Sequence, residues 1–234
     1  QFNSQGLGLW RAADSGSDFG LVFPFQVSTL ADLAGNWNFV GYDRENTTSN
    51  PMFDFGKAEI KTDGSWTHNN CPTTNGAPAC EGFKAEATSF TVAGGKFSNA
   101  DGHGYLYKAA NGTKMYVQSF GNEKGFAIGA QPYAMGLPTV GHTSNFWDVW
   151  GNFSSVNPLE ARSGSVQSVD AVANSYTRSD GQVRLINKPA EGMSYRAQTA
   201  DRGAVVYLHA KDLITVYGRE KKDSASFVGF SISK

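Results

Sequence analysis

Over most of its length the chain alternates apolar and polar residues with a period of two, and no segment sustains the 3.6-residue apolar period of an amphipathic helix. A period of two sends successive side chains to opposite faces of a pleated strand. The pattern therefore predicts short antiparallel strands between Gly-, Asn- and Asp-rich turns. The clearest hairpin lies in GYLYKAANGTKMYVQSF, residues 104–120, where two β-rich runs flank Asn111-Gly112, a dipeptide that supplies the positive φ of a tight turn. There Tyr116, Gln118 and Phe120 alternate with Met115, Val117 and Ser119, so one register buries a mixed aromatic face. Further hairpins are predicted in AEIKTDGSWTH, turning at Asp63-Gly64, in residues 205–218, turning near Ala210-Lys211-Asp212, and around Asp180-Gly181. Leu30, Leu33 and Ala34 predict a single helical turn just ahead of Gly35.

Composition agrees with an all-β protein: 27 glycines, 13% aromatic residues and abundant Ser and Thr. At 234 residues the chain can form one large β domain or two small ones. Its halves echo each other. DGSWTH, GYLYKAANGTKMYVQSF and GNEKGFAIGA in the first find counterparts in DGQVRL, AVVYLHAKDLITVYG and REKKDSASFVGFSI in the second. Each half also opens on tryptophans before a strand, Trp37 in one and Trp147 with Trp150 in the other. The offset is uneven, so either an old duplication or the general likeness of hairpin meanders accounts for the echo. The Pro/Gly-rich stretch 129–144 is the candidate connector.

Charge and motifs mostly exclude. Twenty basic against 21 acidic side chains leave no basic surface of the kind a nucleic-acid partner demands. No run of 18 or more apolar residues predicts a transmembrane segment. Phosphate-binding P-loops, dinucleotide fingerprints, H-E-x-x-H and G-x-S-x-G elbows are all missing from the sequence, and no cofactor or catalytic residue is expected. His68, His103, His142 and His209 are isolated in sequence, and no metal site is expected. Cys71 and Cys80 bracket the turn-rich CPTTNGAPAC and are expected to form a disulfide, with two free thiols as the alternative. A disulfide implies an oxidising compartment, so the protein is expected to be secreted, periplasmic or at the cell surface, with or without a lipid anchor. The first residues, Gln1-Phe2-Asn3, fit either a removed signal segment or a trimmed sequence, and sequons stand at Asn46, Asn111 and Asn152.

Two features in LADLAGNWNFVGYDRE point further. At its end Tyr42, Asp43, Arg44 and Glu45 place Tyr42 and Arg44 on one strand face and the two carboxylates on the other. Such a cluster is either an exposed strand end with paired charges or a set of groups for acid–base work or for an anion. At its start, a short helical turn leading into Gly35, one residue and Trp37 resembles the opening of the lipocalins and the wider calycin group. That resemblance implies an antiparallel up-and-down barrel whose Trp closes one end beneath a basic side chain, here Arg219 or Lys124. The family's second motif, a T-D-Y-like turn, has no match, and the chain is longer than one such barrel. On this basis residues 1–27 are an extended N-terminal segment and 28–131 a lipocalin-like barrel. Residues 144–234 are then a second, related β domain or the continuation of one larger barrel. The function that follows is non-catalytic binding of a small apolar or amphipathic molecule in the barrel. Tyr42, Arg44, Tyr105, Tyr107, Tyr116 and Phe120 are the candidate pocket residues, with Gly35 and Trp37 structural. The alternatives are a module binding protein or glycan partners through loops 44–51 and 69–82, or an enzyme using YDRE and a nearby His.

Overall fold

The computed structural model describes residues 1–13, 18–44, 49–74, 77–121, 125–152, 155–199, 203–219 and 226–234. It is an all-β protein with two curved antiparallel sheets. The expected helical turn is present at Leu30–Leu33, capped by Thr29, whose Oγ1 accepts the Asp32 amide while the Asp32 carboxylate accepts the Thr29 amide.

In the first sheet the nine strands run, in spatial order, Lys84–Ala85, Trp66–Asn70, Met52–Ile60, Gly35–Asp43, Gly125–Ala130, Lys114–Phe120, Gly102–Lys108, Lys96–Ser98 and Thr91–Ala93. Chain neighbours are sheet neighbours, and the last long strand pairs back onto the first, Gly125 with Asp43 through Ala130 with Asn38. The plan is therefore an up-and-down barrel broken at one place, between Ala85 and Thr91. Phe90 occupies the break: its amide donates to Gly64 O, and its ring lies between those of Trp66 and Phe97. Lys84 and Lys96 are exposed on or beside the two edge strands, where charge discourages pairing with another chain.

The curl follows from the register. On its concave face a bulky side chain repeatedly sits opposite a cross-strand glycine: Phe39 with Gly56, Asp54 with Gly41, Tyr116 with Gly129, Phe97 with Gly104. A Cβ at Gly129 would stand 2.0 Å from the Tyr116 ring, and one at Gly104 2.5 Å from that of Phe97. The missing side chains let the rings lie down inside a tight bend.

The second sheet closes. Thr143–Gly151, Glu160–Asp170, Ser175–Arg178, Val183–Ile186, Met193–Arg196, Val205–Ala210, Ile214–Gly218 and Val228–Ser233 form an eight-stranded up-and-down barrel, sealed by pairing of the last strand with the first. The hairpins turn at Asp63-Gly64, Asn111-Gly112, Asp180-Gly181 and Ala210–Asp212, where the alternation predicts them. Full closure thus falls in the second half, and residues 35–130 hold the half-barrel.

One apolar core joins the two sheets. From the convex face of the half-barrel come Val40, Tyr42, Phe53, Phe55, Met115 and Ile128; from the outside of the closed barrel come Val149, Met193, Tyr195, Val206, Leu208, Val216 and Phe230. Asn38 Nδ2 donates to Glu191 O at 2.5 Å and the Tyr42 hydroxyl to Ser226 O at 3.3 Å, so polar contacts also cross this interface. The N-terminal hairpin, Gly8–Arg11 with Phe19–Val22, adds the buried Leu7 and Leu9 to this core, while buried Asn3 donates to Leu213 O. Cys71 and Cys80 form the expected disulfide, with Cys71 fully buried at the edge of the same core. That bond fits an extracellular or periplasmic protein. Among the described residues no helix is long and apolar enough to cross a membrane.

Candidate functional site

The two sheets enclose hollows of opposite chemistry. Inside the half-barrel, alternate positions of five strands point to the concave side, and the Trp37 end is filled by rings. Trp37 is fully buried, its Nε1 donates to Leu33 O at 2.8 Å, and its ring meets that of Tyr116 edge-on at 5.1 Å. Tyr116 in turn meets Phe97 at 5.8 Å. Burial, and then the neighbouring Asp54 charge, push the Tyr116 hydroxyl well above the ordinary phenol range, so it stays protonated at any working pH.

Beyond this plug the curl opens into a cleft of about 580 Å³. Phe39, Trp66, His68, Phe90, Tyr116 and Phe120 supply its aromatic walls, Ala58, Ile60 and Ala127 its small apolar floor. His68 stacks on Trp66 at 5.3 Å, and its Nδ1 stands 3.0 Å from the Glu86 carboxylate. Asp43, Asp54, Glu86 and Asp101 also line the cleft, with Asn70 and Gln118, and no Lys or Arg is among its described lining. Gln118 is held by its Nε2, which donates to Asn99 Oδ1 at 2.8 Å.

The closed barrel is polar inside. Most of its apolar positions point outward onto the joint core, and the polar residues facing inward include Asp148, Arg162, Arg178, Arg184, Arg196, Tyr207, His209 and Tyr217, with Phe146, Trp150, Val205 and Phe227 among the apolar ones beside them. They line a hollow of about 740 Å³. Asp148, almost fully buried, accepts from the Tyr217 and Ser231 hydroxyls at 2.8 and 2.6 Å and pairs with Arg162 at 3.3 Å. His209 sits between Ser194 Oγ at 2.8 Å and Thr215 Oγ1 at 3.0 Å. Burial, helped by the Arg184 charge, pushes its imidazole down to about 4, so the ring is neutral near pH 7. Among the described residues no group of three or more His, Cys, Asp or Glu is placed to hold a metal.

The sequence-derived candidates divide by strand face. Tyr116 and Phe120 line the cleft. Tyr42 and Tyr107 point the other way, into the joint core, where the Tyr107 hydroxyl donates to Gln5 O. Tyr105 is partly exposed and meets Phe25 edge-on at 5.9 Å on the outer surface. Arg44 is half-buried at the strand end, and the lining residue of that cluster is Asp43. Glu45, Asn46 and Lys124 lie outside the described residues, as do parts of loops 44–51 and 69–82. Arg219 lies against Gly203 in the closed barrel.

Phe39, Trp66, His68 and Asp54 escaped sequence reading. The signal was the period of two running back from Asp43 through Gly41 and Phe39 to Trp37, and forward through Trp66, His68 and Asn70. The barrel arginines escaped because a polar residue between apolar ones, as in Val183-Arg184-Leu185, reads as facing solvent. Comparison with family models, with curated proteins and with solved structures finds no match for this chain.

Proposed function

We propose that this protein binds a small amphipathic molecule, without catalysing its conversion, in the cleft of the half-barrel. The observation that carries the reading is the lining itself: rings from several strands around a 580 Å³ space, with carboxylates and no described cation among them. The ring walls suit a flat apolar or aromatic body, and Asp43, Asp54, Glu86 and Asp101 suit a cationic or hydrogen-bond-donating end. Trp37 and its ring neighbours fix the closed end, so binding needs little ordering of the protein and loses little affinity to it. The Cys71–Cys80 bond supports an oxidising compartment for this activity, whether secreted, periplasmic or at a cell surface.

Ligand-detected NMR and native mass spectrometry on the full chain test the reading, with paired probes that share an aromatic body and differ in carrying an amine or a carboxylate. The amines are expected to bind and the carboxylates to bind at least about tenfold more weakly. Phe39→Ala and Asp54→Asn should each weaken amine binding. Failure of every amphipathic probe to bind, or a preference for the carboxylates, would overturn it.

A further inference from the structure

We propose that the hollow of the closed barrel is a second binding site, for a small molecule bearing a phosphate or carboxylate oxyanion. Three arginines on three adjacent strands converge there. Arg178 ends the strand Ser175–Arg178, Arg184 lies on Val183–Ile186, and Arg196 ends Met193–Arg196. Gln182 draws them together, since its Oε1 accepts from Arg184 at 3.0 Å and from Arg196 at 3.4 Å, while its backbone pairs with Arg178. The Arg178 guanidinium lies across Gly164, where any Cβ would stand 2.4 Å from its Nη2, so the neighbouring strand leaves room for it.

Like charges on neighbouring strands repel, and a guanidinium withdrawn from water is costly without an anion. Asp180 stands 3.6 Å from Arg178. Arg184 is 7% exposed, has no carboxylate within ion-pair distance among the described residues, and leaves its Nη1 without a hydrogen-bond partner. What holds it is the Tyr207 ring, 3.9 Å from its Cζ, and Gln182. A planar fork fixed in this way is preorganised for the paired oxygens of a carboxylate or phosphate. Exposed lining residues such as Ser144, Asn145 and Lys211 open the hollow to solvent, and Ser194, Thr215 and neutral His209 offer further polar partners. This site is independent of the half-barrel cleft: its sign of charge is opposite, and its occupant belongs to a different chemical class.

Isothermal titration of the full chain with inorganic phosphate, pyrophosphate and citrate at low ionic strength tests the proposal, together with NMR of the arginine Nε–H groups. Saturable one-to-one binding of at least one probe is expected, with the Nε–H signals of Arg178 and Arg184 shifted. Arg184→Gln is expected to weaken that binding by about tenfold or more. Lys61→Gln, on the exposed turn of the other sheet, should leave it unchanged. If Arg184→Gln does not fold, Arg178→Gln and the native Nε–H shifts decide. Absence of saturable binding by all three probes, Nε–H shifts confined to arginines outside this hollow, or undiminished affinity in a folded Arg184→Gln protein would each refute the proposal.

Discussion

Adding one methyl group at Gly129 tests whether the cross-strand glycines let the half-barrel curl. Gly129 pairs with Tyr116 across the sheet, and its φ lies outside the left-handed region, so alanine strains no backbone there. Taken alone, Gly→Ala at such a position stabilises by roughly 0.4–1 kcal/mol, because the unfolded chain has less freedom to lose. Against this, the new Cβ would stand 2.0, 2.3 and 2.7 Å from three carbons of the Tyr116 ring. That ring cannot swing away, since Trp37 and Phe97 flank it and it is 6% exposed. Overpacking of this kind costs about 1–3 kcal/mol. The second effect wins, and Gly129→Ala should destabilise the protein by about 1–2 kcal/mol, lowering Tm by roughly 2–8 °C. Guanidinium denaturation monitored by tryptophan fluorescence measures it. In a Tyr116→Ala background the same change should become neutral or stabilising, because the clash has gone. Stability equal to or above that of the parent, or a penalty that persists without the Tyr116 ring, would refute the steric account.

Further expectations concern the disulfide and the barrel interior. Reducing the Cys71–Cys80 bond, or replacing both cysteines by serine, should cost about 2.5–3 kcal/mol, the loop entropy of a closure of roughly ten residues, and a thermal scan with and without reductant reads it. His209 is held down at about 4 when folded and returns to the ordinary 6.5 when unfolded, so between these values the unfolded chain binds more protons. Its contribution to stability is therefore whole above pH 6.5 and is lost as pH falls toward 4, on the order of 3 kcal/mol in all. Denaturation midpoints should show that slope, His209→Asn should flatten it, and an imidazole NMR titration near 6.5 in the folded protein would contradict it. Asp148→Ala leaves the Tyr217 and Ser231 hydroxyls without their acceptor and removes the Arg162 pairing, which should cost about 2–3 kcal/mol in denaturant melts.

By itself the sequence determined the class, the turns and the local registers. Asn111-Gly112 and Asp180-Gly181 fix hairpins through backbone chemistry confined to a few residues, and alternation assigns Tyr116, Gln118 and Phe120 to one face. Cys71 and Cys80 announced their bond for the same local reason. What only the tertiary structure decided is which face is inside. A period of two divides Tyr42 from Asp43 and Arg184 from Leu185, yet it carries no sign. The side of each sheet that faces a hollow depends on which way the sheet curls and on what packs against its back. Here the two sheets bury their convex faces against each other. Tyr42 and Tyr107, apt for a pocket by composition, therefore became joint core, and Arg178, Arg184 and Arg196 turned inward around a largely polar hollow. The half-barrel kept its rings for the concave side because cross-strand glycines made room for them, a pairing that joins residues as distant as Phe39 and Gly129 and exists only once the strands have found each other.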